Sequence, residues 1–172
     1  MTITKRGYTI MSMISQVAKA MVIYNGQSVS LTQHFMKVYG FAKSIGAAEG
    51  LSVADLEILE IAALTHDIAI KTCMEKYGRA EGKLQEQEGP AIAKDMLLSL
   101  GCEENIIAQV CWLIGHHHTT EGVTTITHRI LLEADFLVNA FDGKADKERI
   151  IKARENFFAT PTGIAFVDSM FV

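Results

Sequence analysis

The sequence predicts an all-α protein, a single-domain bundle of about six or seven helices. Three observations carry that expectation. Only two prolines occur in 172 residues; Ala, Leu, Ile, Met and Glu are abundant; and apolar residues recur at helical spacing with few runs of alternating polarity. With 49% hydrophobic residues and no Pro/Gly/Ser-rich linker, residues 1–172 read as one domain with a sizeable core.

The start, MTITKRGYTIMSMISQVAKAM, places Lys5 and Arg6 ahead of an apolar patch. Ser12, Ser15, Gln16 and Lys19 interrupt that patch too soon for a signal sequence or a membrane span. Met11 and Met13 are alternative starts, with residues 1–10 a poorly ordered extension. A first helix is expected over Met11 to Tyr24, with Met13, Ile14, Val17, Met21 and Ile23 on its apolar side and Asn25-Gly26 as its stop. Ser30 or Thr32 can cap the second, whose stripe is Phe35, Val38, Phe41, Ala42 and Ile45. His34 lies four residues before Val38 and shares that side.

The third helix starts near Ser52, where Ser52-Val53-Ala54-Asp55 resembles a capping box, and ends at His66-Asp67. Lys71 to Gly89, rich in charge and glycine, reads as a long surface loop of the kind that often forms a lid. Pro90 suits the first turn of a fourth helix through Leu100, closed by Gly101. The fifth buries Ile106, Val110, Leu113 and Ile114 and runs into His116-His117-His118. A sixth, from Thr127 to Phe141, carries Asp135 on the side of Leu131 and Val138. A seventh covers Ala145 to Phe158 with Ile150, Ile151 and Phe157 inward, and an apolar tail follows that can cover the bundle or a neighbouring subunit of a homodimer.

A formal net charge of -4 and the lack of a Lys/Arg-rich block exclude a broad nucleic-acid or anionic-membrane surface, so small-molecule partners are expected. Cys73, Cys102 and Cys111 form no CxxC pair and suit free thiols in a reducing, cytoplasmic setting.

Against this apolar background His34, His66-Asp67 and Asp135 each sit on or at the end of a core-facing helix. Such groups cost free energy inside unless paired, hydrogen-bonded or bound to a cation. Each alone has a structural reading: a satisfied core histidine, a His-Asp bond closing a helix, an aspartate paired with Arg129, a solvated histidine run. Together on helices that face one interior, they read as a metal site.

The order His, His-Asp, His cluster, Asp resembles the HD-domain superfamily of metal-dependent phosphohydrolases. The resemblance runs from Leu31 to about Ala140 on TQHFMKVYGFA, AALTHDIAIK, GHHHTT and ILLEADFLVNA. It implies that His34, His66, Asp67 and Asp135 form the primary metal set. Neighbours on a regular helix point about 100° apart, so His66 and Asp67 serve one ion only where the helix unwinds, or Asp67 bridges two ions. Two-metal members add a histidine at the start of the next helix and others before the final Asp. Here Glu88 stands at the first position, with Glu86 as its alternative or both as solvated carboxylates, and His117 and His118 stand at the others. No carboxylate occupies Ile70, which weakens direct transfer of nucleotidase activity.

Imidazole and carboxylate donors without thiolate suit one or two ions of Mn, Fe, Co, Ni or Zn. A divalent metal makes hydroxide available near neutrality and offsets charge on a phosphoryl oxygen. The expected activity is hydrolysis of a phosphomonoester or phosphodiester in a small, nucleotide-like molecule, with Asp67 and Lys71 as catalytic residues and Lys83 and Arg129 as further phosphate-binding cations. The superfamily's di-iron oxygenases supply a second reading, and a metal-stabilised binding module without turnover a third.

Overall fold

The computed structural model describes residues 11–172 and, ahead of them, a two-residue antiparallel pairing of β1 (Thr4–Lys5) with β2 (Tyr8–Thr9). Apart from that pairing, the expected 1–10 extension lies outside the described residues. Nine helices follow: α1 (Met13–Asn25), α2 (Val29–Ala48), α3 (Val53–Thr65), α4 (Ile70–Tyr77), α5 (Gly82–Ser99), α6 (Glu104–Ile114), α7 (Ile126–Asp142), α8 (Lys147–Asn156) and α9 (Pro161–Phe171). The protein is all-α, and among the described residues no helix is long and apolar enough to cross a membrane.

Helix starts follow from short polar side chains that satisfy orphan N–H groups. Ser12, Ser52, Thr125, Asp146 and Thr160 each accept from the backbone N–H three residues on. Gly78 (φ 68°) closes α4 in the left-handed conformation, its N–H donating to the Met74 carbonyl.

α3 is the axis of the bundle. It packs against α1, α2, α6 and α7, so every residue from Ile58 to Thr65 is buried. Burial on all sides fits its run of Ile, Leu and Ala, each larger side chain contributing about 1.5–3 kcal/mol. Glu60 is the one charged residue in that run and is met by the Lys43 ammonium at 3.3 Å. The surrounding core includes Phe35, Val38, Ile45, Leu97, Val110, Ile114, Leu131 and Leu137.

The expected six or seven helices are nine among the described residues, and several local expectations are corrected. The stretch Lys71 to Gly89 is mostly helical, forming most of α4 and the first half of α5 with a break at residues 78–81, and Pro90 sits inside α5. Only Cys73 on α4 and Gln85 and Gly89 on this half of α5 are buried, so the stripe is too thin to read while Lys, Glu, Gln and Met still favour helix. Gly89 is part of that economy: a Cβ there would lie 2.6 Å from Ile114 Cγ2. The tail is α9, with Thr160 as cap and Pro161 in its first turn. α2 begins at Val29, ahead of Ser30 and Thr32. Ile23 and Ile151, expected inward, are exposed because their neighbours Met21 and Ile150 already fill the inward direction.

Candidate metal centre

Four elements deliver the side chains. α2 presents His34 one turn from its start; α7 presents Asp135; and the ends of α3 and α6 present His66-Asp67 and His117-His118. After Thr65 the backbone turns in tight steps, with Ile68 N–H donating to the Thr65 carbonyl (3.0 Å) and Ile70 N–H to that of Asp67 (3.1 Å). The regular α-helical bonding thus stops at this pair, and the two consecutive side chains meet, His66 Nε2 lying 3.4 Å from Asp67 Oδ2.

His34 Nε2 lies 3.2 Å from His66 Nε2, 3.3 Å from Asp67 Oδ2 and 3.1 Å from Asp135 Oδ1. His66 Nε2 lies 3.4 Å from Asp67 Oδ2 and 3.5 Å from Asp135 Oδ1. Neighbouring ligands around one ion at about 2.1 Å are about 3.0–3.4 Å apart, so His34, His66 and Asp67, whose ligand atoms all lie within 4.8 Å of one another, match a single shared centre, with Asp135 Oδ1 beside the two imidazoles.

Protonation points the same way. His66 Nδ1 donates to the Ala63 carbonyl (2.9 Å) and His117 Nδ1 to that of Ile114 (2.6 Å). Each bond places the ring's N–H away from the site and leaves the Nε2 lone pair aimed into it, the orientation metal-ligating histidines require. His117 Nε2 is buried without a hydrogen-bond partner, and buried Asp135 Oδ1 has the His34 and His66 imidazoles at 3.1 and 3.5 Å. Buried groups of that kind are costly unless something cationic sits among them. The residues therefore fit a divalent ion.

Burial by itself would push the His66 imidazole down, but Asp67 and Asp135 beside it prevail and hold it well above the usual histidine value. Burial would raise both carboxyls; His66 and His117 hold Asp67 well below the carboxylate range, and His34 and His66 hold Asp135 at about 2. Without metal, a proton does the work of the cation.

A second group adjoins the first. Asp67, His117 and His118 bring one ligand atom each to within 4.8 Å of one another, with Asp67 Oδ1 3.6 Å from His117 Nε2. Asp67 thus turns one oxygen to each pair of imidazoles. Burial and the neighbouring His117 hold His118 below its ordinary value, which keeps its lone pairs available near neutrality. Gly82 makes room for this ring, since a Cβ there would lie 2.7 Å from it.

Other expected residues lie elsewhere. Glu88 is engaged by Lys76 Nζ (2.6 Å) and Tyr77 OH (2.7 Å) and does not join either group, because α5 starts early and turns it toward α4. Glu86 instead faces the histidine turn, accepting from His118 N–H (3.0 Å) and Thr119 Oγ1 (2.9 Å). Lys71 is exposed on α4 with its ammonium over the Tyr24 ring, and Lys83 is exposed on α5. Arg129 donates to the Phe157 carbonyl at 2.8 Å and braces α8. His116 stacks on Trp112 and stands outside both ligand groups.

The sequence reading missed Lys37 and Asp142. Lys37 Nζ is paired with Asp142 (2.5 and 2.7 Å), whose Oδ2 lies 3.9 Å from His34 Nδ1. The signal was available, since Lys37 follows His34 by three residues and shares its side of α2.

An HD-domain family model matches residues 31–153. No curated protein matches the chain. A crystal structure of a predicted HD superfamily hydrolase from an uncultured Thermotogales bacterium aligns with a TM-score of 0.62 and 24% identity, covering 91% of this chain and 82% of that one. At that identity the likeness is one of fold.

Proposed function

The chain belongs to the HD-domain family, and from that premise we propose that it is a metal-dependent phosphohydrolase acting on a small phosphomonoester or phosphodiester. The observation that carries the proposal is Asp67, with one oxygen toward His34 and His66 and the other toward His117. His34, His66, Asp67 and Asp135 would hold one ion of Mn, Fe, Co, Ni or Zn, and Asp67, His117 and His118 a second. Such ions, when bound, supply a water acidified toward neutrality and positive charge for a phosphoryl oxygen.

The protein's own part is placement and charge. The carbonyls of Ala63 and Ile114 fix the His66 and His117 rings, and Glu86 fastens the turn bearing His118. Asp67 and Asp135 stay ionised at working pH, keeping the centre attractive to cations. Lys37, linked to His34 through Asp142, is the cation that geometry favours for a phosphate oxygen; Lys71, over Tyr24, is less favoured. A homodimer and a cytoplasmic setting remain part of the proposal, the latter on the free thiols.

The test is metal analysis of protein purified without chelator or nickel resin, followed by a panel of phosphomonoesters and phosphodiesters. Metal-dependent turnover abolished by Asp67→Ala is the expected result. Bound metal with no turnover on the panel would refute hydrolysis, and oxygen uptake with iron would replace it by the oxygenase reading.

A further inference from the structure

A cavity of about 370 Å³ opens between α3, α6 and the start of α7, away from the ligand groups described above. Its apolar side is Ile58 and Leu113, both core residues, and the Trp112 indole is 41% exposed beside them. Its polar side is formed by Gln109, Thr124, Thr125 and Thr127, the Thr125 hydroxyl also capping α7 and sharing a hydrogen bond of 3.2 Å with that of Thr127. None of these lining residues is charged.

That division selects a ligand. A phosphate or carboxylate finds no counter-charge, and a sugar with hydroxyls around its whole edge would strand several against Ile58 and Leu113. A flat ring with one apolar face and one hydrogen-bonding edge matches the indole, the aliphatic wall and the amide and hydroxyl rim together. The volume falls in the range of small-ligand sites.

The cavity wall is also wired to the metal centre. Trp112 and His116 stack with ring centroids 4.4 Å apart, and His116 Nδ1 donates to the Trp112 carbonyl at 2.7 Å. His128 Nε2 donates to the His116 carbonyl at 2.8 Å, with its ring edge-on to Trp112 at 5.2 Å. His128 is 1% exposed and its Nδ1 has no partner, an unspent acceptor next to the indole. The residue after His116 is His117, whose imidazole belongs to the second ligand group.

We propose that this cavity binds an uncharged nucleoside, and that occupancy is felt at the second ligand group through Trp112, His116 and His117. The ligand class is argued from the cavity alone and does not rest on the hydrolytic reading.

Trp112 is the chain's single tryptophan, so its emission reports the cavity directly. The full-length protein is titrated with adenosine, guanosine, cytidine and uridine, and in parallel with adenosine monophosphate and glucose. Expected is a saturable change with at least one nucleoside, weakened at least tenfold in the Gln109→Leu/Thr127→Val variant while its melting temperature and Mn²⁺ content stay those of wild type. Mn²⁺ affinity, measured calorimetrically with and without that nucleoside, should differ at least threefold. No saturable change with any nucleoside, equal response in the variant, or tighter response to the monophosphate or to glucose would overturn the site. Equal Mn²⁺ affinities would overturn the coupling. None of these readouts uses turnover, so failure of the hydrolytic reading leaves them standing.

Discussion

Binding of a divalent ion at the primary group is expected to expel more protons at pH 7.5 than an ordinary imidazole would release. The donor in question is His66, buried between Asp67 and Asp135 and held well above the usual histidine value. Its Nδ1 proton is committed to the Ala63 carbonyl, so the proton that must leave is the one on Nε2, the atom a metal needs. A histidine of pKa about 6.5 is only about one-tenth protonated at pH 7.5, and an upward shift raises that fraction. Affinity should therefore keep rising about tenfold per pH unit, about 1.4 kcal/mol, through the neutral range where an unperturbed site would flatten. Calorimetric titration with Mn²⁺ in buffers of different ionisation enthalpy counts the protons directly. Release close to zero at pH 7.5, with affinity level between pH 7 and 8, would refute the assignment of His66 as a carboxylate-held imidazolium.

The metal-free protein should show the mirror image. The His66 contribution is full below its unfolded value and is lost as pH rises through the raised folded one; the Asp67 and Asp135 contributions are present above the ordinary 3.8 and are lost as pH falls, for Asp135 toward about 2. Apo melting temperature should thus peak on the mildly acidic side of neutral, and a peak in alkali would contradict it. Asp67→Ala should lower apo stability at pH 7 by about 1–3 kcal/mol, because Asp135 remains as one counter-charge, and should also erase the rise in melting temperature on adding Mn²⁺. His117→Ala should reduce bound metal from two ions to one by elemental analysis while sparing the first; loss of both ions would show one indivisible site. Glu133, fully buried, accepts from Ala159 N–H (2.7 Å) and Thr160 N–H (3.0 Å) on one oxygen and from Thr160 Oγ1 on the other, so Glu133→Gln, which keeps an oxygen for the two N–H groups but turns an NH2 to the Thr160 hydroxyl and removes the charge, should cost about 1–3 kcal/mol in urea melts. Gly40→Ala should stabilise by about 1 kcal/mol, since a Cβ there meets nothing within 4 Å on an interior turn of α2.

Residues with period and burial on their side were legible in the sequence. The stripes of α2, α6 and α7 carry dense apolar spacing, and that spacing directs His34 and Asp135 to the interior and His117 to the end of a buried ridge. Glu88 was misplaced because its position depended on where a helix begins. With α4 and early α5 burying only a cysteine, a glutamine and a glycine, nothing in the pattern fixed that start. A glutamate two residues along a helix changes its direction by about 200°, which is the difference between Glu88 on Lys76 and Glu86 on the histidine turn. The loop reading of Lys71 fails for the same reason. Read as loop it was free to reach the site, but as a residue of α4 it is carried to the Tyr24 ring. Asp142 looked like a stop signal because its partner, Lys37, lies far away in sequence and no local pattern joins them.

His34 and Asp135 stand about a hundred positions apart along the chain and are brought together by helices that each belong to the core. An ion gripped between them has nothing to hold until α2, α3 and α7 have already met, so it is not a template for the early steps of folding. Its influence falls on the reverse journey. Contacts formed after the rate-limiting ascent slow the escape from the native basin and leave the climb into it unchanged. A chelator added to the loaded protein would then raise the unfolding rate and leave the refolding rate unchanged.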